Sequence, residues 1–283
     1  MLLFKRVSDL QWYLQFIRSG NRKLGLVPTM GALHEGHLSL IHQSKVENNV
    51  TICTIFVNPT QFNESTDLQK YPRTPTKDLQ LLLEVGCDVL FMPSEKEVYP
   101  PGLPIRSDYT FGALEKVMEG AFRPGHFSGV AQVVGRFLDI ASPDHLYMGQ
   151  KDFQQVAIVR EMIRQRTDQP EVVMCPIIRE TDGLAMSSRN VRLEPNIRER
   201  ASIIFQTLKK AKSQSLVKTP TEVQAIALEA LKQPGFRPEY FEIVDGHTLQ
   251  PITSFSQTDY AVACTAVWAG DVRLIDNMIL EHN

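Results

Sequence analysis

The sequence predicts an α/β protein, a Rossmann-like doubly wound parallel sheet followed by a smaller C-terminal α+β domain. Three observations lead there. Short apolar, β-rich runs alternate with helix-spaced segments through the first 180 residues. Turn residues and polar motifs stand directly after those runs, and the rhythm changes after about Arg192.

Residues 24–27 (LGLV) form the first such run, stopped by Pro28, after which Leu38, Ile41 and Lys45 fall on one helical face. Residues 50–57 (VTICTIFV) are rich in β-branched side chains and fit a strand buried on both faces, ended by Asn58-Pro59. A helical pattern over 78–85 leads to a buried strand at 88–92. The pattern over 130–140 precedes a strand at 145–148, and a helix at 152–166 precedes a strand at 172–178. This alternation predicts βαβ units with right-handed crossovers, whose ligand site lies beyond the carboxyl ends of the strands. Residues 194–213 and 220–232 read as two helices, the second opened by Pro220 and Thr221. Segments 240–244, 260–268 and 272–276 then alternate like antiparallel strands, the last two joined through Ala269-Gly270-Asp271. The expected division is 1–180 and 181–283, with the boundary in 176–190.

Composition bounds the function. At 283 residues, 43% hydrophobic and 22% charged, the chain is ordinary globular material rather than disordered or fibrous. Thirty basic against thirty-two acidic side chains leave a net charge of -2, which gives no bulk electrostatic case for nucleic acid or an anionic membrane. The N-terminus runs straight into Lys5 and Arg6 and lacks the order of a secretory signal, and no apolar stretch approaches the roughly 18–20 residues of a membrane span. Cys53, Cys87, Cys175 and Cys264 show no paired spacing, as expected of thiols in a reducing compartment. A cytoplasmic protein is expected.

The strongest motif is PTMGALHEGH at 28–37, which follows a predicted strand and opens a helix. A turn of this kind offers backbone N–H groups and the positive end of the helix dipole to an anion. Gly31 and Gly36 let backbone approach a phosphate, and His34 and His37, three apart, share one helical face as donors. The two glycines stand at Walker A spacing, but His37-Leu38 replaces the Lys-[Ser/Thr] pair, which argues against a P-loop. A zinc site is disfavoured because the His-Glu-x-x-His spacing and a third ligand are missing. Met186-Ser187-Ser188-Arg189-Asn190 suits a loop whose hydroxyls and guanidinium close over a polyphosphate. Gly149-Gln150-Lys151-Asp152 follows another strand end, where Lys151 can meet a phosphate and Asp152 a ribose or a helix start. Asn58 and Gln61 lie after a third strand and suit a small hydroxy acid. Phe122-Arg123-Pro124-Gly125-His126 adds a cation and a potential acid or base.

Together and in this order, PTMGALHEGH, FVNPTQF, FRPGHF, KDFQQ and AMSSRN resemble the pantothenate synthetase (pantoate–β-alanine ligase) family, over nearly the whole chain. His34-Glu35-Gly36-His37 is similar to the His-x-Gly-His signature of the nucleotidyltransferase superfamily, and Met186-Ser187-Ser188-Arg189 to its Lys-Met-Ser-Lys-Ser loop. The resemblance implies a ligase that joins pantoate to β-alanine through a pantoyl adenylate, with Mg²⁺ and ATP as substrate and AMP and pyrophosphate released. It implies no zinc, nicotinamide or flavin, and a homodimer. By matching, His34, His37, Lys151, Ser187, Ser188 and Arg189 carry the catalysis. Met30, Gly149, Asp152, Ile178 and Met186 join them around ATP, while Asn58, Gln61, Gln155 and Met30 meet pantoate. Arg123 and His126 are placed near β-alanine and phosphate, and the metal ligands are left open. Many relatives have Glu where this chain has Gln150.

Overall fold

Six strands build one sheet: β1 (Leu2–Phe4), β2 (Leu24–Thr29), β3 (Val50–Ile55), β4 (Val89–Phe91), β5 (His145–Gly149) and β6 (Glu171–Cys175). They lie in the order β1-β4-β3-β2-β5-β6 and every pair is parallel. The computed structural model describes residues 1–62, 65–104, 106 and 108–280. Its contacts divide into two units. The first comprises Met1–Phe111, Arg123–Gly149 and Gln155–Pro176, and the second Gly112–Phe122, Gln150–Gln154 and Ile177–Asn283.

From β2 the chain winds outward through β3 and β4, and from β5 it winds the other way to β6, so the direction reverses between β2 and β5. That reversal is the switch point at which doubly wound sheets bind ligands. The expected strands at 24–27, 50–57, 88–92, 145–148 and 172–178 are all present with shifted ends. Strand β1 and the helix Val7–Ser19 had no counterpart in the sequence reading: the three residues of β1 give no periodic signal, whereas Leu10, Leu14 and Ile17 of the helix are buried at a helical spacing that went unread. The helix expected at 78–85 begins earlier, at Pro75, with Thr74 before it and proline in the first turn.

Helix Glu35–Glu47 packs on β2 with almost no clearance. A Cβ on Gly25 would stand 2.1 Å from Ser44 Oγ and 2.7 Å from Asn48 Nδ2. Ser44 Oγ in turn lies 2.8 Å from Thr51 Oγ1 of β3, so a buried polar contact locks the same spot. The missing side chain of Gly25 therefore sets the distance between the central strand and the helix that starts beside both motif histidines.

The second unit carries the antiparallel sheet β7 (Phe236–Asp245), β8 (Ala261–Ala269) and β9 (Val272–Leu280), in that order. Helices Ile203–Gln214 and Pro220–Leu231 share with it a core that includes Leu208, Val223, Phe241, Ala263 and Leu274. Thr219 and Glu222 close a reciprocal capping box at the start of the second helix, one residue before the proline that the sequence marked. The helix expected over 194–213 is broken into Pro195–Arg198 and Ile203–Gln214.

Two earlier stretches of chain are built into this unit. Glu119 takes a two-bond ion pair from Arg273, at 2.7 and 2.7 Å, and accepts the Tyr240 hydroxyl at 2.8 Å. Gln154 accepts the Glu119 N–H at 2.9 Å and donates to the carbonyls of Leu114 and Val117 at 2.7 and 2.9 Å. Among the described residues, no helix is long and apolar enough to cross a membrane.

Replacing Gly25 by alanine should cost about 1–3 kcal/mol of stability, the usual penalty of overpacking. Denaturant unfolding of Gly25→Ala is the check, and wild-type stability would show that the helix yields freely.

Candidate active site

The motif histidines stand where β2 ends. After Thr29 the chain turns through Gly31, at a φ of +78°, and Ala32, at +50°, before the helix begins at Glu35. Asp78, 1% exposed, holds this turn from the neighbouring helix. Its carboxylate accepts the N–H groups of Ala32 at 2.9 Å and Leu33 at 2.8 Å, and the Thr74 hydroxyl at 3.0 Å. A Cβ on Gly31 would reach 3.0 Å from Asp78 Oδ2 and would also need the left-handed backbone, so glycine answers both demands.

The backbone donors of this turn differ from expectation. The Gly31 N–H goes to Thr29 Oγ1 at 3.2 Å, those of Ala32 and Leu33 to Asp78, and that of Gly36 to His34 Nδ1 at 3.1 Å. A cradle of backbone N–H groups built on Gly31 and Gly36 is thus replaced by internal bonds.

His34 is the residue that caps the helix rather than a member of its first turn. A nitrogen that accepts a backbone N–H carries no proton, so a neutral His34 bears its hydrogen on Nε2. The His37 ring lies 4.1 Å from it, centroid to centroid, at an interplanar angle of 40°. The expected pairing of the two rings is present, although through a cap and the first helical turn.

At the end of β3, Asn58 is 1% exposed and its amide is fully committed inside the protein. Its Nδ2 donates to Gln61 Oε1 at 3.3 Å and to the Gly129 carbonyl at 3.1 Å, while its Oδ1 accepts from Thr60 Oγ1 at 3.2 Å and from the Tyr99 hydroxyl at 2.9 Å. Burial pushes the Tyr99 phenol up to about 12, which keeps it a donor. His126 is buried as well. Its Nδ1 lies 2.8 Å from the Gln61 carbonyl and its Nε2 3.1 Å from Arg123 Nη1. The guanidinium can only donate, so Nε2 accepts and Nδ1 donates to Gln61. Gly129 completes the clamp, because a Cβ there would come within 2.5 Å of the Thr60 carbonyl. Gln61 is thus held by its side-chain oxygen and by its backbone. Gln155, in the helix Phe153–Arg164, is half-buried, in contrast to the fully committed Gln154 beside it.

In the second unit, Lys151 and Asp152 sit in the short 3-10 turn Gln150–Asp152 and are both half-buried. Ile178 and Met186 face each other across a small hairpin, the Met186 N–H donating to the Ile178 carbonyl at 3.0 Å. Ser187 caps the turn Ser188–Arg192, its Oγ accepting the Arg189 N–H at 3.2 Å, which leaves its own proton to donate. The sequence reading missed Asp78, Tyr99 and Gly129. An acid in a first helical turn was the one visible sign of the first, and the other two bore none.

A reversing parallel sheet with a His-x-Gly-His cap at its switch point defines a nucleotide-handling α/β protein. Comparison with known proteins makes this specific. The family model for pantoate–β-alanine ligase matches residues 2–279. The chain is 50% identical over 279 residues to the pantothenate synthetase of Bacteroides thetaiotaomicron, covering 98% of both chains. It superposes on the crystal structure of pantothenate synthetase from Thermus thermophilus with a TM-score of 0.93 at 38% identity, covering 100% of each. A pantoate–β-alanine ligase from Francisella tularensis, solved in complex with beta-gamma ATP and β-alanine, matches with a TM-score of 0.81 at 35% identity, covering 100% of this chain and 99% of that one. The chain belongs to the pantoate–β-alanine ligase family.

Replacing Asp78 by asparagine turns one acceptor into a donor against a backbone N–H. The loss of a buried charge-assisted bond should destabilise the protein by about 1.5–3 kcal/mol. ATP use should fall with it, read from steady-state kinetics, while unchanged stability and kinetics would mean that the turn holds without its carboxylate.

Proposed function

We propose that pantothenate is formed here in two steps through a pantoyl adenylate. The protein is an ATP-dependent ligase that joins pantoate to β-alanine. In the first step a pantoate carboxylate oxygen bonds to the α-phosphorus of ATP and the bond to pyrophosphate breaks. In the second the β-alanine amine, having lost its proton, bonds to the acyl carbon and AMP leaves.

The observation that carries this reading is the imidazole pair at the carboxyl end of β2, with Gln61 clamped at the end of β3. Carboxylates are weak nucleophiles, and phosphoryl transfer depends on alignment and on stabilising charge as it develops. His34 Nε2 and His37 supply donors for the phosphates, and the Met30 backbone lies beside them. Lys151, Ser187, Ser188 and Arg189 hold the triphosphate, with Gly149, Asp152, Ile178 and Met186 around the nucleoside. Gln61 and Gln155 bind pantoate. Asn58 and His126 act through Gln61 as positioning residues, with Arg123 bonded to His126.

Magnesium enters with its nucleotide, as Mg-ATP. The proposal includes a homodimer, as the family resemblance implies, and a reducing cytoplasm, for which the four buried free thiols speak.

AMP release that needs both pantoate and β-alanine is the expected result with purified protein and Mg-ATP. AMP transfer onto an acceptor without amide formation would point instead to an adenylyltransferase. In His34→Ala or His37→Ala the first step should slow by about 10²–10³, the usual effect of losing one preorganised donor. Pyrophosphate release near the wild-type rate would remove that role from the histidine concerned.

A further inference from the structure

The last strand of the second unit contains an Asp276-Asn277 pair in an otherwise apolar run, LIDNMIL, and both side chains are buried, 3% and 2% exposed. A charged group and an amide persist in such surroundings only where their hydrogen bonds are met. The partners here are the two segments to which ATP binding is assigned above. Asn277 Nδ2 donates to the carbonyls of Gln150 and Lys151 at 2.9 and 3.0 Å, and its Oδ1 accepts from Gln150 Nε2 at 3.1 Å. Asp276 accepts both terminal nitrogens of Arg179, at 2.7 and 3.0 Å, and the Asn277 N–H at 2.8 Å.

Arg179 belongs to the hairpin that runs directly into Met186-Ser187-Ser188-Arg189. It pairs with Ala185 across that hairpin and donates to the Gly183 carbonyl at 3.1 Å. Its guanidinium lies over the Phe205 ring at 4.2 Å, and a Cβ on Gly183 would overlap that ring at 2.1 Å. The hairpin therefore has one seat. Adjacent side chains leave a strand on opposite faces. Asp276 follows Val272 and Leu274 on the face packed against the helices, and Asn277 leaves the other. Burial pushes the Asp276 carboxyl up from its ordinary value, opposed by the Arg179 guanidinium and by the Lys151 charge.

We infer that Asp276 and Asn277 are positioning residues for adenylation, a common mount that fixes the Lys151 turn and the Ser187–Arg189 loop relative to each other. The inference rests on the reading above that these two segments hold the triphosphate. Asn277 grips the backbone of the turn and leaves the Lys151 ammonium to the ligand. Asp276, through Arg179, anchors the hairpin that delivers the loop. One strand thereby holds phosphate donors drawn from segments far apart in the chain, and a shift of about 1 Å in such donors can change a rate a hundredfold.

Pyrophosphate exchange into ATP with pantoate and Mg²⁺ and no β-alanine, on the full chain, tests the mount. Asn277→Ala should lower kcat/KM for ATP by about tenfold to a hundredfold, with the pantoate KM within about twofold of wild type. The double variant Lys151→Ala/Asn277→Ala should be no slower than Lys151→Ala alone within about twofold, because residues acting as a unit are not additive. Wild-type exchange by Asn277→Ala, or multiplied losses in the double variant, would overturn the mount while leaving the role of Lys151 intact. Wild-type exchange by Lys151→Ala would overturn the underlying reading and the mount together. Circular dichroism and thermal unfolding report whether each variant folds. If Asn277→Ala does not, Asn277→Leu, which keeps the volume and removes the donor, replaces it with the same expected pattern and the same overturning results.

Discussion

A buried carboxylate, Asp78, decides the path of the chain between the central strand and the helix that begins at its carboxyl end. By accepting the N–H groups of Ala32 and Leu33 it removes two polar groups from solvent and bends the turn in one direction. Gly31 supplies the left-handed backbone that the bend requires, and Thr29 accepts the Gly31 N–H. With the turn held this way, His34 falls at the cap, its Nδ1 is taken by Gly36, and its Nε2 becomes a donor. The placing of His37 follows from the first helical turn, and the seat of the whole helix follows from the close approach at Gly25.

The chemistry is consistent with that architecture. Activation of a carboxylate by ATP needs donors that are already in place when charge develops, and it needs no covalent nucleophile from the protein. The polar groups bonded to Gln61 fix its direction. Asn58 holds the side-chain oxygen, His126 the carbonyl, and Tyr99 the amide of Asn58. Reactive thiols are correspondingly absent from the design: all four cysteines are buried, and burial pushes Cys87 and Cys175 up to about 11. The second unit follows the same logic on an antiparallel sheet, where buried polar pairs on β9 hold earlier parts of the chain.

Much of this was legible in the sequence, and the parts that were not share a cause. Periodic apolar runs such as 24–27 and 50–57 announce buried parallel strands because their neighbours in the chain suffice to define them. The pairing of His34 with His37 is also local. The roles of Asp78, Asn58 and His126 depend on partners distant in sequence, so Asn58 read as a ligand for pantoate when its amide is committed to Gln61 and Gly129. In the backbone cradle expected at PTMGALHEGH, the acceptor that takes the Ala32 and Leu33 N–H groups lies 46 and 45 residues away, whereas those of Gly31 and Gly36 are taken locally by Thr29 and His34. Asp276-Asn277 carried a signal that was visible but unread: two polar residues inside an apolar strand.

The central claim is that activation proceeds by attack of the pantoate carboxylate on the α-phosphate, with the protein acting through positioned donors alone. Turnover of pantoate labelled with ¹⁸O in its carboxylate, followed by mass analysis of the nucleotide and phosphate products, tests this most directly. The account predicts one labelled oxygen in AMP and none in pyrophosphate. Label in inorganic phosphate with ADP as the nucleotide product would mean attack at the γ-phosphate and would contradict it.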